Sequence, residues 1–252
     1  MKRCPSCGEE NADRARFCQN CATPLGEGAA PAADVRKVVT IVFADVTGST
    51  ALGERLDPEA LRSVMGRYFD EMTAAIERHG GTVEKFIGDA VMAVFGIPRL
   101  HEDDAIRAVR ATIGMREALE RLNDDLRREH GEGLAARIGV NTGEVVAGDP
   151  SAGQRLVTGD AVNVAARLEQ VATPGEILLG EPTYRLVKDA VEVEPVEPLA
   201  LKGKEQPVPA VRLVAVAADT PGHERHLDSP MVGRAKELSL LEHALERALT
   251  DR

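Results

Sequence analysis

Val38-Val-Thr-Ile-Val-Phe43 is an almost unbroken apolar, β-branched run, the pattern of a strand covered on both faces. The run ends at an acid, Asp45, followed by the small polar turn Val46-Thr47-Gly48-Ser49-Thr50. From Asp57-Pro58 onward, Leu61, Val64, Met65, Tyr68, Phe69, Met72, Ala75 and Ile76 recur at three and four residues, which predicts an amphipathic helix closing at Gly80-Gly81. Thr82 to Ile87 and Ala90 to Phe95 then read as two strands joined at Gly88-Asp89, a dipeptide suited to a tight hairpin. A second carboxylate therefore stands at a strand junction.

The rest of the pattern is mixed α+β. Ala105 to Leu126 and Asp160 to Val171 carry helical periodicity, and Ala135 to Val146 is strand-like with an expected interruption at Asn141-Thr-Gly143. Short strands are expected at Glu176 to Leu179, Val191 to Glu194 and Val208 to Leu213. With 252 residues, 43% hydrophobic content and no tryptophan, the chain has material for one ordinary core built from Val, Leu, Ile and Ala. A net charge of −10 argues against broad binding to nucleic acid or anionic membranes, which calls for clustered Lys and Arg. No apolar run approaches the roughly 20 residues needed to cross a bilayer, and the first residues lead into cysteines instead of a signal core. A cytoplasmic location is expected.

All four cysteines fall at the amino terminus, as Cys4-Pro-Ser-Cys7 and Cys18-Gln-Asn-Cys21. Each pair places two thiolates on one turn, and two such turns can close a tetrahedral Zn²⁺ site; a disulfide pairing is the alternative, which a reducing cytosol disfavours. Four thiolates leave no open position, so the site would be structural. The segment resembles a zinc ribbon, a module that often docks other proteins. The expected organisation is a ribbon over 1–24, a small-residue linker over 25–36, the main domain over 37–214, a second linker over 215–229 and a final helical piece over 230–252. The phrase Val232-Gly-Arg-Ala-Lys-Glu-Leu238 resembles the entry to AAA-type ATPase regions.

The turn after Asp45 can offer backbone N–H groups to phosphate oxygens through Thr47, Gly48, Ser49 and Thr50, with the carboxylate beside it for Mg²⁺. Asp89 adds a second carboxylate, and two can clamp two metals on one phosphate. Taken singly, Asp45 also reads as a helix N-cap and Asp89 as an ordinary turn residue. Asn163 and Arg167, four apart on a predicted helix, project from one face and suit a ribose and a charged phosphate, although spacing alone fits a surface arginine with a local asparagine hydrogen bond better.

Four segments together resemble the class III adenylyl and guanylyl cyclases: Phe43-Ala-Asp45-Val-Thr-Gly-Ser-Thr50, Glu84-Lys85-Phe-Ile-Gly-Asp89, Arg137-Ile-Gly-Val-Asn-Thr-Gly143 and Thr158-Gly-Asp-Ala-Val-Asn163-Val-Ala-Ala-Arg167. The resemblance implies a ferredoxin-like βαββαβ core and a head-to-tail homodimer with composite sites. It implies two Mg²⁺ or Mn²⁺ ions on Asp45 and Asp89, Asn163 orienting the ribose and Arg167 on the transition state. Lys85 matches the base-reading lysine of the adenylyl form, so the resemblance points to ATP, cyclic AMP and pyrophosphate. The second base-reading position holds Leu156, a departure, with Thr158 close by. Lys202 matches the family's triphosphate lysine, with Lys204 as the alternative. A guanylate cyclase and a non-catalytic nucleotide-binding or dimerising module are the competing readings.

Overall fold

The computed structural model describes residues 2–4, 9–12, 15, 19–20, 35–147, 157–200, 206–217, 233 and 235–250. Cys7, Cys18, Cys21, Leu156, Lys202 and Lys204 lie outside them. The chain divides into two compact units, Met1–Gly222 and His223–Arg252.

At the amino terminus, β1 (Lys2–Arg3) and β2 (Glu10–Asn11) pair antiparallel, and Cys4 is buried beside them, its N–H donating to the Glu9 carbonyl at 2.8 Å. The main sheet is built around β3 (Val35–Thr47). It is longer than the apolar run at both ends, because every residue from Val35 to Thr47 pairs with a residue of β6 (Ala135–Ala147). The other elements are α1 (Ser49–Arg55), α2 (Pro58–Arg78), β4 (Thr82–Ile87), β5 (Ala90–Phe95), α3 (Asp104–His130), β7 (Val157–Thr158), α4 (Asp160–Val171), β8 (Ile177–Gly180), α5 (Glu181–Val187), β9 (Val191–Pro195) and β10 (Ala210–Val216). The sheet runs β4-β5-β3-β6-β8-β10-β9, with β7 on β6; β6 and β8 are parallel and the other neighbours antiparallel. The sequence β3-α2-β4-β5-α3-β6 is the expected βαββαβ unit, with β3 and β6 at its centre.

Burial on both faces explains the near-continuous apolar stretch in the middle of β3. Val42, Ala44 and Val46 face the core made with Tyr68, Met72 and Ile76 of α2 and with α3, while Val39, Ile41 and Phe43 face Ala161 and Ala165 of α4. Helix α2 starts where the sequence indicates: Asp57 caps it by accepting from the Ala60 N–H at 2.8 Å, and Pro58 occupies the first turn. After α3, Asn123 clamps both the N–H and the carbonyl of Leu134 at 2.7 Å, which sets the start of β6.

The expected interruption at Asn141-Thr-Gly143 is corrected: β6 passes through it unbroken. The side-chain donors and hydroxyls there are taken up by neighbouring elements, although Asn141 Oδ1 is left without a hydrogen bond. The Asn141 amide donates to the Ala161 carbonyl at 3.3 Å, and Thr142 exchanges hydroxyl hydrogen bonds with Thr40 and Thr183 at 2.8 and 2.9 Å. Gly143 lies where a Cβ would come within 2.8 Å of Ala161. The second unit contains α6 (Ala235–Thr250), which leaves Leu238, Leu240, Leu241 and Leu245 exposed.

Two glycines give opposite expectations. A Cβ at Gly139 on β6 would stand 2.3 Å from the Ala165 carbonyl and 2.4 Å from the Glu169 nitrogen, so Gly139→Ala must push α4 off the sheet. Gly66, exposed on α2, has nothing within 4 Å. Denaturant unfolding should show Gly139→Ala destabilising by about 1–3 kcal/mol and Gly66→Ala stabilising by roughly 0.5–1 kcal/mol. Equal effects would contradict this packing.

Candidate active site

Asp45 occupies the carboxyl-terminal end of β3, in phase with Phe43 and therefore on the face that α4 covers. It is not a helix cap: the N-cap of α1 is Gly48, three residues on. Gly48 has φ 94°, a left-handed conformation that costs a residue with a Cβ, and it turns the chain from strand into helix in a single step. That turn delivers Ser49, whose hydroxyl donates to Asp89 Oδ2 at 2.8 Å. Asp89 itself stands in the β4–β5 hairpin, where Gly88 takes φ 65° and Ile87 pairs with Ala90. Asp45 thus stands at a strand end and Asp89 in a hairpin turn, and Ser49 joins the two segments.

Register supplies the other half of the setting. Arg137 is the cross-strand neighbour of Asp45, and its Nη2 pairs with Asp45 Oδ2. The same Nη2 lies 3.2 Å from Oε1 of Glu169, which α4 buries to 7% side-chain exposure. Burial, then the Asp45 charge, pushes the Glu169 carboxyl up to about 7; Arg137 opposes the shift and Asp89 adds to it. Tyr68 of α2 is fully buried with its hydroxyl unpartnered, and its pKa is raised by burial, then by Asp45, Asp89 and Glu169. Tyr68 and Glu169 thus lie in the combined negative field of both aspartates.

A divalent cation fits that field. The donors at hand are carboxylate oxygens, the hard ligands that Mg²⁺ and Mn²⁺ take. Among the described residues no group of three or more His, Cys, Asp and Glu side chains is disposed to hold a metal. A pair of aspartates leaves the remaining positions to water and substrate phosphate, as is usual for Mg²⁺.

The remaining candidates lie elsewhere on the surface. Asn163 is exposed and Arg167 half-buried on the outward side of α4, and neither side chain makes a hydrogen bond or ion pair with a described residue. Lys85 is exposed on β4, beside Phe86 and Ile87, each 50% exposed. Thr47 donates to the Ala135 carbonyl at 3.2 Å, Thr50 is exposed, and Thr158 pairs with Val146. Thr158 lines a cavity of about 720 Å³ at the far end of β6, whose lining includes neither Asp45 nor Asp89. Sequence reasoning missed Arg137, Glu169 and Tyr68 as members of the site. The available signal was an arginine opening an apolar strand and an acid next to Leu168 on a buried helix face.

Fold and motif order together define the class, the catalytic domain of a class III nucleotide cyclase. Residues 32–211 match the family described as adenylate and guanylate cyclase catalytic domain, and the chain belongs to that family. Residues 3–25 match a zinc-ribbon domain. Adenylate cyclase 1 of Rhizobium meliloti is 30% identical over 186 residues, covering 72% of this chain and 28% of the relative. An adenylate cyclase of Anabaena cylindrica is 35% identical over 145 residues, covering 55% and 28%. The chain thus spans less than a third of these relatives. Among solved structures, the adenylyl cyclase CyaB of P. aeruginosa superposes with a TM-score of 0.70 at 35% identity, over 74% of this chain and 98% of that one. The guanylyl cyclase Cya2 gives 0.67 at 34%, over 74% and 96%. No helix among the described residues is long and apolar enough to cross a membrane.

Glu169 yields a pH prediction. Its folded pKa lies above the ordinary value of 4.5, so its favourable contribution is complete below 4.5 and is lost as pH rises through about 7. Metal-free wild type should therefore lose thermal stability relative to Glu169→Gln as pH rises across that window. Parallel melting curves with pH would contradict the shift.

Proposed function

We propose that this chain is an adenylate cyclase, converting ATP to 3′,5′-cyclic AMP and pyrophosphate at sites shared by two copies arranged head to tail. The observation that carries the reading is the separation of the machinery. Asp45 and Asp89 both act on buried Tyr68, and Ser49 of the segment after Asp45 bonds Asp89, whereas the Asn163 and Arg167 side chains face outward from α4 without described partners. A second copy would bring its α4 to the aspartates of the first. The relatives named adenylate cyclases support the chemistry.

Asp45 and Asp89 would hold two Mg²⁺ or Mn²⁺ ions, which supply a more acidic 3′-hydroxyl and neutralise phosphate charge. Thr47 at the end of β3, Gly48 at the turn, and Ser49 and Thr50 at the start of α1 would lie beside the phosphates, and Ser49 keeps Asp89 oriented. As the 3′-hydroxyl gives its proton to water, its oxygen bonds to the α-phosphorus and the bond from that phosphorus to the bridging oxygen breaks to release pyrophosphate, while Arg167 balances the charge gathering there. Asn163 holds the ribose so that attack and departure stay in line. Lys202 or Lys204 binds the triphosphate. Lys85 donates to an adenine acceptor, with Thr158 beside the base. Cys4, Cys7, Cys18 and Cys21 would hold Zn²⁺ and give the ribbon a docking surface for a protein partner. The helix α6 opens an AAA-type region.

A guanylate cyclase is the second reading, which Lys85 opposes, Leu156 at a base-reading position leaves open, and the likeness to Cya2 supports. Purified protein with Mn²⁺ should make cyclic AMP from ATP faster than cyclic GMP from GTP. Asp45→Ala and Arg167→Ala should each lower kcat by at least about a hundredfold. Faster cyclic GMP formation would favour the second reading, and an Asp45→Ala variant as active as wild type would contradict the site.

A further inference from the structure

We infer that Glu169 is a positioning residue that tunes the metal affinity of Asp45 through Arg137, by giving the guanidinium a second buried partner when a cation occupies the carboxylate. The inference rests on the reading of Asp45 as a metal ligand.

Arg137 is held between two acids. Its Nη2 is paired with Asp45 Oδ2 and lies 3.2 Å from Glu169 Oε1, with the three side chains 26%, 19% and 7% exposed respectively. The two contacts are unequal. The one to Asp45 meets hydrogen-bond geometry, whereas Glu169 Oε1 is buried without a hydrogen bond, and Arg137 Nε is a buried donor equally without one. An unused donor and an unused acceptor thus belong to two side chains already in contact. Buried polar groups are ordinarily satisfied, so this is reserve capacity, ready for a small turn of the guanidinium towards α4.

Without a metal, Arg137 supplies the positive charge that Asp45 would otherwise lack. A divalent cation arriving at Asp45 repels the guanidinium and competes for the same oxygen. Were there nowhere else for Arg137 to go, metal binding would strand a partly buried cation, a strongly unfavourable outcome. Glu169 removes that obstacle. The backbone makes the arrangement stiff: Arg137 is locked opposite Asp45 by strand register, and Glu169 is locked over β6 because Gly139 lets α4 approach within contact of the strand.

Shortening or neutralising Glu169 should commit Arg137 to Asp45 and weaken metal binding, whereas removing the guanidinium should relieve the competition. Mn²⁺ titration of the full chain, followed by the electron paramagnetic resonance of free Mn²⁺, reads this without turnover. Glu169→Gln and Glu169→Asp should each raise the Mn²⁺ dissociation constant about tenfold, the scale of lost support behind a metal ligand. Arg137→Gln should lower it, and Glu169→Gln added to Arg137→Gln should have no further effect. The Asp variant keeps the charge but not the reach, and serves also if the Gln variant does not fold. Wild-type affinity in Glu169→Asp, or an undiminished Glu169→Gln effect in the Arg137→Gln background, would overturn the inference. An Asp45→Ala control separates the two levels: if it still binds Mn²⁺ as wild type does, or if wild type binds none, the metal reading itself fails.

Discussion

The structure depends on the pairing of β3 with β6. All 13 residues of β3 are in register with β6, with no bulge, and the middle of β3, Val39 to Ala44, is buried on both faces. Register in a doubly covered strand is strongly specified, since a slip of one residue would exchange every buried side chain between faces. This fixed ladder sets Arg137 opposite Asp45 and carries the loop of Ser49 towards the hairpin of Asp89. The chemistry of the site is therefore a consequence of strand register more than of loop conformation.

Charge is then placed where the sheet runs out of apolar neighbours. Asp45, Arg137 and Glu169 are partly or wholly desolvated, and the upward shifts of Glu169 and Tyr68 come first from burial and then from the negative charge of the aspartates. A pocket of this kind is poorly served by protein groups alone. An unpartnered tyrosine hydroxyl, an idle arginine nitrogen and an idle carboxylate oxygen lie close to the two aspartates, and sites with such unmet groups are where function is expected.

Much of this was legible in the sequence where a local rule acts alone. The hairpin strands Thr82–Ile87 and Ala90–Phe95 and the helix Asp160–Val171 emerge at their expected bounds, because turn chemistry and periodicity define them without outside help. The short helices Ser49–Arg55 and Glu181–Val187 did not, since seven residues carry too little periodicity to register. Asn141 and Gly143 read as a break because their polar and small side chains are explained only by α4 packed over them. The site divides in the same way. Asp45 and Asp89 stand at strand ends that a pattern reveals, while Arg137, Glu169 and Tyr68 gain their meaning from a register and a helix contact that no local pattern encodes.

The central claim is that each copy carries two incomplete halves, Asp45 at the end of β3 with Asp89 in the β4–β5 hairpin, and Asn163 with Arg167 on outward α4. Mixing Asp45→Ala with Arg167→Ala tests it most directly, because each variant keeps the half that the other lacks. Random reassortment of two inactive variants should restore about a quarter of wild-type turnover, since half of the dimers are mixed and each has one intact site of two. A mixture no more active than its separate components would contradict the account.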